Sequence, residues 1–254
     1  MTVQTTTAGE PTGGEVRGDG RVALVTGAGR GIGRAVAIAL AARGFSVAIA
    51  ARSHEQLAQV AQAAGSAATV APLAVDLREV EGAETLIERV VERFGRLDVL
   101  VNNAGIGHFG PLEGTSAAAW DELMAVNARA PFLLCRAGLP HLRRARPGFV
   151  INIASIVGLR GYADQVAYTA SKHALVGLSR ALAQELHEQR DEVRVHVLCP
   201  GGTATDLLRA ARPDIAEHDA MQPSEIAELV AFLVTRSGNA VLGEITLRRA
   251  SARP

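Results

Sequence analysis

A chain of 254 residues with 48% hydrophobic and 20% charged residues is long enough to bury a large core, and we expect residues 21–254 to form one domain. The formal net charge is zero, which argues against a nucleic acid or an anionic membrane as partner. Apolar runs fall well short of the roughly 20 residues that span a bilayer, and residues 1–20 lack the apolar stretch of a secretory signal, so we expect a flexible tail there.

A glycine-rich turn follows the first apolar run. The β-branched run 21–25 predicts a strand, and apolar residues at helical spacing predict a helix over 32–43. Glycines between a strand and a helix let the backbone approach a pyrophosphate, and free amide hydrogens at the helix start attract its charge. Glycines also serve ordinary tight turns, but this context favours dinucleotide binding. The glycine turn comprises Thr26, Gly27, Ala28, Gly29, Arg30, Gly31, Ile32 and Gly33.

Strands and helices then alternate along the chain. The pattern predicts strands at 46–51, 69–75 and 99–101, with helices at about 55–64 and 80–93 between them. Near-continuous apolar strands in such an alternation are typical of an α/β fold, with a parallel sheet covered on both faces.

Polar residues follow these strands at their carboxyl ends, where ligands bind in such sheets. Ser53 is explained about equally well as a helix cap and as a ligand contact, whereas for Asn103 we favour a functional role. The residues in question are Arg52, Ser53, Asp76, Asn103, Ala104 and Gly105.

A long helical pattern from about Ser116 to Arg144 contains Asn127 in its interior. Asparagine is a poor residue there because its amide competes with the backbone for hydrogen bonds. We therefore predict a kink that turns a carbonyl or an amide toward the site.

A serine, a tyrosine and a lysine follow the predicted strand 149–153. Ser155 lies just beyond that strand, and Tyr168 and Lys172 lie four residues apart on one face of a helix that runs to about Glu188. Lys172 is the sole lysine of the chain. Because arginine is a wide planar fork and lysine a compact point charge, the choice indicates a need for a compact cation. Taken alone, Ser155 is better explained as a cap, and the Tyr168–Lys172 pair as a solvated pair on a helix surface. Together the three residues predict a catalytic group.

These motifs resemble the short-chain dehydrogenase/reductase family, in particular its single-domain subclass, over nearly the whole chain from 21 to 248. The resemblance rests on the segments 26–33, 76–77, 102–105, 168–172 and 199–201 with Asn127, Ser155 and Thr205. It implies a doubly wound Rossmann sheet of seven strands, a nicotinamide cofactor and an oxidoreductase acting on CH–OH or C=O groups. It also implies a homotetramer or homodimer, with the helices that contain Asn127 and Tyr168 at the interfaces.

The resemblance further implies the site residues. Asn127, Ser155, Tyr168 and Lys172 are implied to be catalytic, with Lys172 also holding the nicotinamide ribose and Asn127 ordering a proton-relaying water. Many relatives carry a valine where this chain has Gly202, so either Thr203 or Thr205 could supply the carboxamide contact. The implied cofactor contacts are Gly27, Gly29, Arg30, Gly31, Ile32, Gly33, Arg52, Ser53, Asp76, Leu77, Asn103, Ala104, Gly105, Tyr168, Lys172, Pro200, Gly201, Thr203 and Thr205.

A carbonyl reduction places negative charge on oxygen, so the hydroxyls of Ser155 and Tyr168 would lower the barrier by donating to it. Tyr168 would then give its proton. We expect the ammonium of Lys172 to lower the pKa of this phenol from its usual value of about 10. A binding protein that senses NADP without turnover is the alternative, but it would not need these three residues together.

The substrate pocket is expected near Ser155, with the segment 206–221 as its lid. Arg160 would favour an anionic substrate, although a solvated loop arginine is the commoner case. The tail lacks the paired glycines that often end this family. The expected pocket residues are Ile106, His108, Phe109, Ile156, Val157, Leu159, Arg160 and Tyr162.

Cofactor choice depends on the end of the second strand, where NAD-selective folds place an acidic residue. Here Ala51 takes that position and Arg52 follows it, while Arg30 can approach from the glycine turn. Two guanidiniums flanking a 2′-phosphate predict NADPH over NADH. The alternative is that both arginines are solvated and either cofactor is accepted.

The cysteines and histidines indicate neither a disulfide nor a metal. Cys135 and Cys199 are far apart in apolar surroundings, which favours free thiols in the cytoplasm. The histidines show no metal-ligand spacing, so we expect no metal and a small-molecule carbonyl or alcohol as substrate.

Overall fold

The computed structural model describes residue 18 and residues 20–65 and 70–251. The predicted tail at 1–20 lies almost wholly outside the described residues, as does Thr69, at which we expected the third strand to begin.

The described residues form one parallel sheet of seven strands in the order β3-β2-β1-β4-β5-β6-β7. All five residues of β1 and all five of β5 are buried, because helices cover both faces of the sheet. The predicted α/β fold and its doubly wound sheet are confirmed, and β2 and β5 have the bounds expected from the sequence. The strands are β1 (Val22–Thr26), β2 (Ser46–Ala51), β3 (Val70–Ala74), β4 (Val99–Asn102), β5 (Phe149–Ile153), β6 (Arg194–Pro200) and β7 (Glu244–Leu247).

Helices pack on the two faces of the sheet and bury two separate apolar cores. Helices α1, α2 and α8 contribute to one core, and α3, α5 and α6 to the other. No helix among the described residues is long and apolar enough to cross a bilayer. The helices are α1 (Gly31–Ala42), α2 (His54–Ala63), α3 (Val80–Phe94), α4 (Ala117–Met124), α5 (Ala130–Ala145), α6 (Val166–Glu188), α7 (Asp206–Ala211) and α8 (Pro223–Thr235), with 3₁₀ turns at Leu112–Gly114, Ile156–Gly158 and Glu217–Asp219.

The strand order reverses between β1 and β4, because the chain winds outward from β1 to β3 and then returns to the other side of β1. Connections leave in opposite directions at this point, so a crevice opens beyond the carboxyl ends of β1 and β4. The sheet thereby places the glycine turn and the loop after β4 side by side.

The predicted long helix is divided into α4 and α5 by a π-helical turn, Ala125–Arg129. The N–H of Ala130 bonds to the carbonyl oxygen of Ala125, five residues back, which widens the helix by one residue. Asn127 is fully buried in this turn. The irregularity predicted at Asn127 is therefore present, and it takes the form of a π turn.

Gly33 tests how tightly the glycine turn is packed, and Gly138, which lies outside the turn, is the comparison. A Cβ on Gly33 would collide with the carbonyl oxygen of Gly27 and the side-chain amide of Asn103. A Cβ on Gly138, inside α5, would meet Leu97 at 3.5 Å, an ordinary contact. We expect Gly33→Ala to lower the free energy of unfolding by roughly 1–3 kcal/mol through overpacking, and Gly138→Ala to raise it by about 1 kcal/mol. Urea denaturation measures both; equal effects would contradict this account.

Candidate active site

A cavity of about 1340 Å³ lies beyond the carboxyl ends of the strands. All of the predicted cofactor contacts except Gly33 line it, together with Ser155. Gly33 and Asn127 do not line it, since both are buried behind the loops that form its wall. The cavity thus brings together nearly all of the residues that the sequence selected.

The glycine turn is held against the loop after β4. The hydroxyl of Thr26 accepts from the N–H groups of Asn103 at 3.0 Å and Ala104 at 3.1 Å and donates to Val101 at 3.2 Å. The amide of Asn103 donates to the carbonyl oxygens of Thr26 at 2.9 Å and Gly27 at 3.2 Å. The side chain of Asn103 therefore fixes the shape of the turn.

The start of α1 fits the pyrophosphate of a dinucleotide. Arg30 occupies the N-cap position, and its side chain makes no hydrogen bond to the helix backbone. The first N–H groups of α1 are left without a side-chain cap, and such groups bind phosphate oxygens. Gly27 has a φ of +62°, and a Cβ on it would lie 2.7 Å from the Cα of Ala104, so only glycine leaves this backbone accessible.

Ser155 and Tyr168 meet on the opposite wall. The hydroxyl of Ser155 donates to the carbonyl oxygen of Pro200 at 3.4 Å and accepts from the N–H of Val157 at 3.3 Å, and it interacts with the phenol of Tyr168. The ring of Phe109 packs edge-on against Tyr168, with 5.6 Å between the centroids. Burial raises the pKa of Tyr168 to about 12, and the hydrogen bond from Ser155 opposes this shift. The expected lowering is wrong for this structure, because removal of the phenolate from water outweighs the favourable contacts.

Lys172 is buried one helical turn beyond Tyr168. Its ammonium donates to the carbonyl oxygen of Ile153 at 3.0 Å and lies 6.0 Å from the centroid of the Tyr168 ring. Burial lowers the pKa of Lys172 to about 8. The end of β5 thus supplies the lysine with a backbone acceptor, and no carboxylate among the described residues pairs with it.

Asn127 lies outside the cavity and contacts the residues that form its wall. Its side chain accepts from the N–H of Ile106 and donates to the carbonyl oxygen of the same residue, both at 2.9 Å. It also donates to the hydroxyl of Ser171 at 3.0 Å. A Cβ on Gly105 would lie 3.5 Å from the Asn127 oxygen and 3.4 Å from the Lys172 nitrogen. Asn127 therefore ties the loop after β4 to α6 and stands close to Lys172.

The two arginines expected at a 2′-phosphate have different surroundings. Arg30 forms a salt bridge with Asp206, the first residue of α7, which also pairs with Arg209. Arg52 lines the cavity and forms no ion pair within the described residues. Ser53 caps α2 by accepting from the N–H of Gln56 at 3.2 Å, and it also lines the cavity. Ser53 is therefore a helix cap, and its contact with a ligand stays a prediction.

Arg78 is a site residue that the sequence analysis missed. Its guanidinium donates to Asp76 at 3.0 Å and 2.5 Å and to Glu122 at 3.2 Å, and it lines the cavity. The hydrogen bond from Arg78 lowers the pKa of Asp76. The sequence places Arg78 only two residues after Asp76, and this spacing could have predicted that the arginine pairs with the aspartate at the cavity.

The substrate end is largely as expected, with two corrections. His108 and Leu159 do not line the cavity, and Leu159 instead packs against an apolar cluster that includes Leu175 and Val176. Leu207 and Leu208 of α7 do line it, in the segment predicted as a lid. Arg212 and Ile215 of the same segment also line it, and so do Arg248, Arg249 and Ser251, which the sequence analysis did not select.

Both cysteines are free and buried. Burial raises the pKa of Cys135 to about 12 and that of Cys199 to about 11. Among the described residues, no group of three or more histidine, cysteine, aspartate or glutamate side chains is placed to hold a metal ion.

A glycine turn at the switch point of a parallel sheet, facing a serine, a tyrosine and a lysine, defines a Rossmann-type dinucleotide-binding protein. The family model described as short chain dehydrogenase matches residues 21–216. The chain belongs to the short-chain dehydrogenase/reductase family, whose members are oxidoreductases acting on small molecules.

Relatives and solved structures agree with this assignment. The 3-oxoacyl-[acyl-carrier-protein] reductase of Thermotoga maritima is 31% identical, over 91% of this chain and 96% of the relative. A metagenomic short-chain oxidoreductase in complex with NADP is 39% identical, with a TM-score of 0.79 over 91% of this chain and 98% of that one. The 3-ketoacyl-(acyl-carrier-protein) reductase of Brucella melitensis, complexed with NADH, is 29% identical, with a TM-score of 0.82 over 91% and 98%.

The pKa of Lys172 predicts how stability changes with pH. Its pKa is about 8 in the folded protein and 10.5 in an exposed lysine, so the unfolded state binds more protons between these values and stability rises with pH there. We expect the free energy of unfolding of the wild type, relative to Lys172→Met, to rise from about pH 8 to pH 10.5. Urea denaturation at a series of pH values measures this difference.

Tyr168 provides the matched control, with the opposite sign. Its pKa is about 12 when folded and 10.0 when exposed, so the folded state binds more protons and the advantage of the wild type over Tyr168→Phe should shrink above pH 10. A stability difference between wild type and Lys172→Met that does not vary with pH would contradict a buried ammonium.

Proposed function

We propose that the protein is a carbonyl reductase that transfers a hydride between NADP(H) and a carbonyl or secondary alcohol substrate. The observation that carries this proposal is the convergence of Ser155, Tyr168 and Lys172 on one wall of a cavity whose other wall is the glycine turn. The NADP complex of the metagenomic relative supports the choice of cofactor.

The polar groups of this wall suit acid catalysis on a carbonyl. Ser155 and Tyr168 carry hydroxyl groups that can donate to one carbonyl oxygen, where negative charge develops. With a pKa of about 12, Tyr168 keeps its proton at neutral pH and is ready to give it to that oxygen. The bound nicotinamide supplies the hydride.

Lys172 has two tasks in this proposal. Its ammonium stabilises the phenolate that remains when Tyr168 has lost its proton, and in a buried site this attraction is stronger than in water. As the family resemblance implies, it would also donate to the nicotinamide ribose. Because its pKa is about 8, reductase activity should decline as the pH rises through that value. Asn127 positions the loop beside the lysine and, we infer, orders a water that relays protons to it.

We further infer a preference for NADPH. Ala51 leaves the end of β2 without the acidic side chain that would repel a 2′-phosphate. Arg52 attracts the carboxylate of Asp76 but forms no salt bridge among the described residues. Arg30 is paired with Asp206, so a phosphate would have to share its guanidinium with that carboxylate. Arg52 is therefore the main contributor to the preference.

We also infer a homo-oligomer in the cytoplasm. Three apolar side chains are about half exposed on the helices near the site: Trp120 on α4, Phe132 on α5 and Val166 at the start of α6. An interface between copies would remove them from water. The two free cysteines favour a reducing compartment.

Removal of the phenol hydroxyl tests the reaction. We expect Tyr168→Phe to lower kcat by more than about a hundredfold while NADPH binding stays within about twofold of wild type, because only the ionisable oxygen is lost. A panel of carbonyl compounds, followed by loss of reduced-cofactor absorbance, identifies a substrate, and fluorescence titration measures NADPH binding. Lys172→Arg should also lose turnover, because the wider guanidinium does not fit beside the phenol.

Rates for Tyr168→Phe within about tenfold of wild type would mean that the phenol is not the acid, since tenfold is only ~1.4 kcal/mol. Wild-type protein that binds NADPH but reduces no compound of the panel would instead favour an NADP-sensing protein.

Replacement of Arg52 tests cofactor choice. We expect Arg52→Gln to weaken NADPH binding about tenfold, a modest effect because the side chain is exposed, and to change NADH binding little. Ala51→Asp should weaken NADPH binding further by repelling the phosphate. Arg144→Gln, an exposed arginine at the end of α5 and outside the cavity, is the matched control. Equal affinity of the wild type for NADPH and NADH would show that the preference is absent.

A further inference from the structure

Four arginines gather at the substrate end of the cavity, and we call them the arginine rim: Arg160, Arg212, Arg248 and Arg249. One of them is neutralised, since Arg212 donates to Asp214 at 2.7 Å and 2.5 Å. Arg160 donates to the hydroxyl of Tyr162 at 2.5 Å and has no carboxylate partner within the described part of the chain. The rim therefore carries excess positive charge.

Arg248 and Arg249 form no hydrogen bond or salt bridge within the part of the chain that the structure describes. Arg249 is only partly exposed. Asp214 attracts Arg249 electrostatically but is already held by Arg212. A guanidinium that lines a cavity without a hydrogen-bond partner is available to bind an anion.

The arginine rim lies beside the wall that carries Ser155, Tyr168 and Lys172, which we call the catalytic wall. The guanidinium of Arg160 lies 5.0 Å from the centroid of the Tyr162 ring, and Tyr162 in turn interacts electrostatically with Arg212. On the other side, a Cβ on Gly201 would lie 3.6 Å from Ile156, the neighbour of Ser155, and 3.9 Å from the Cα of Arg248. The backbone at Arg248 therefore lies near Ile156, which adjoins Ser155 in the chain.

Gly202 explains how Arg249 reaches this position. A Cβ on Gly202 would lie 3.3 Å from the Cδ and Nε atoms of Arg249 and 3.3 Å from Leu208. The stem of Arg249 therefore lies against bare backbone, in space that the side chain of a valine would fill. The glycine after Pro200 and Gly201 and the arginine after β7 form one feature, since the first makes room for the second.

We propose that the substrate carries a carboxylate, which Arg249 binds while the carbonyl group faces Ser155 and Tyr168. A guanidinium recognises a carboxylate by two parallel hydrogen bonds, and a partly enclosed site strengthens them. Arg160 adds positive charge elsewhere on the rim. This inference rests on the proposed reductase function and narrows its substrates to short oxo acids and the corresponding hydroxy acids.

Substrate pairs that differ only in charge test the proposal. Short 2-oxo, 3-oxo and 4-oxo acids are compared with their methyl esters in NADPH-dependent reduction by wild type, Arg249→Gln, Gly202→Val and the control Arg144→Gln. We expect the wild type to prefer at least one acid over its ester by about tenfold or more in kcat/KM, as a charged hydrogen bond implies. Arg249→Gln and Gly202→Val should both lose this preference through KM, whereas Arg144→Gln should keep it.

Binding measured without turnover separates this inference from the proposed function. The same acids are titrated by calorimetry into the NADPH complex of Tyr168→Phe and into its double variant with Arg249→Gln. Acid binding that weakens about tenfold in the double variant supports the carboxylate site. This holds even if the wild type reduces no acid or ester, because that failure of reduction would overturn the reductase function alone. Equal use of acids and esters by the wild type, or equal loss of both in Arg249→Gln, overturns the carboxylate site and leaves the reductase function intact.

Discussion

The hydroxyl of Thr26 holds the active site together. It stands at the end of β1, at the switch point of the sheet, and accepts two N–H groups from the loop after β4. The cofactor wall begins on β1, while the loop that leads to Ile106 begins on β4. The buried hydroxyl of Thr26 joins these two segments, and β1 and β4 are paired neighbours in the sheet. The sheet therefore fixes the distance between the glycine turn and the loop after β4.

Burial dominates the electrostatics of the catalytic wall. It raises the pKa of Tyr168 to about 12 and lowers that of Lys172 to about 8, so each group is biased toward its neutral form. The phenol therefore keeps its proton, whereas the ammonium of Lys172 loses its proton more readily than an exposed lysine does. This combination suits the proposed reaction, in which Tyr168 gives up one proton that is then replaced. The backbone carbonyl of Ile153 is what keeps the ammonium in place.

The sequence predicted those features that depend on local pattern. Apolar runs located β2 and β5 with their bounds, and the unusual asparagine at 127 marked a π turn. Features that depend on contacts between distant segments were missed. The approach of Arg249 to Gly202 exists only because β7 lies beside β6, and the direction of the Tyr168 pKa depends on burial that spacing alone does not reveal.

The single lysine has a practical consequence. Every other basic residue in the count of 26 is an arginine, so the folded surface offers no ε-amine to acylating or carbamylating reagents. The one such amine is buried beside Tyr168 and reaches solvent only through the cavity. Its rate of acylation, followed on the peptide that contains Lys172, would therefore report how open the cavity is.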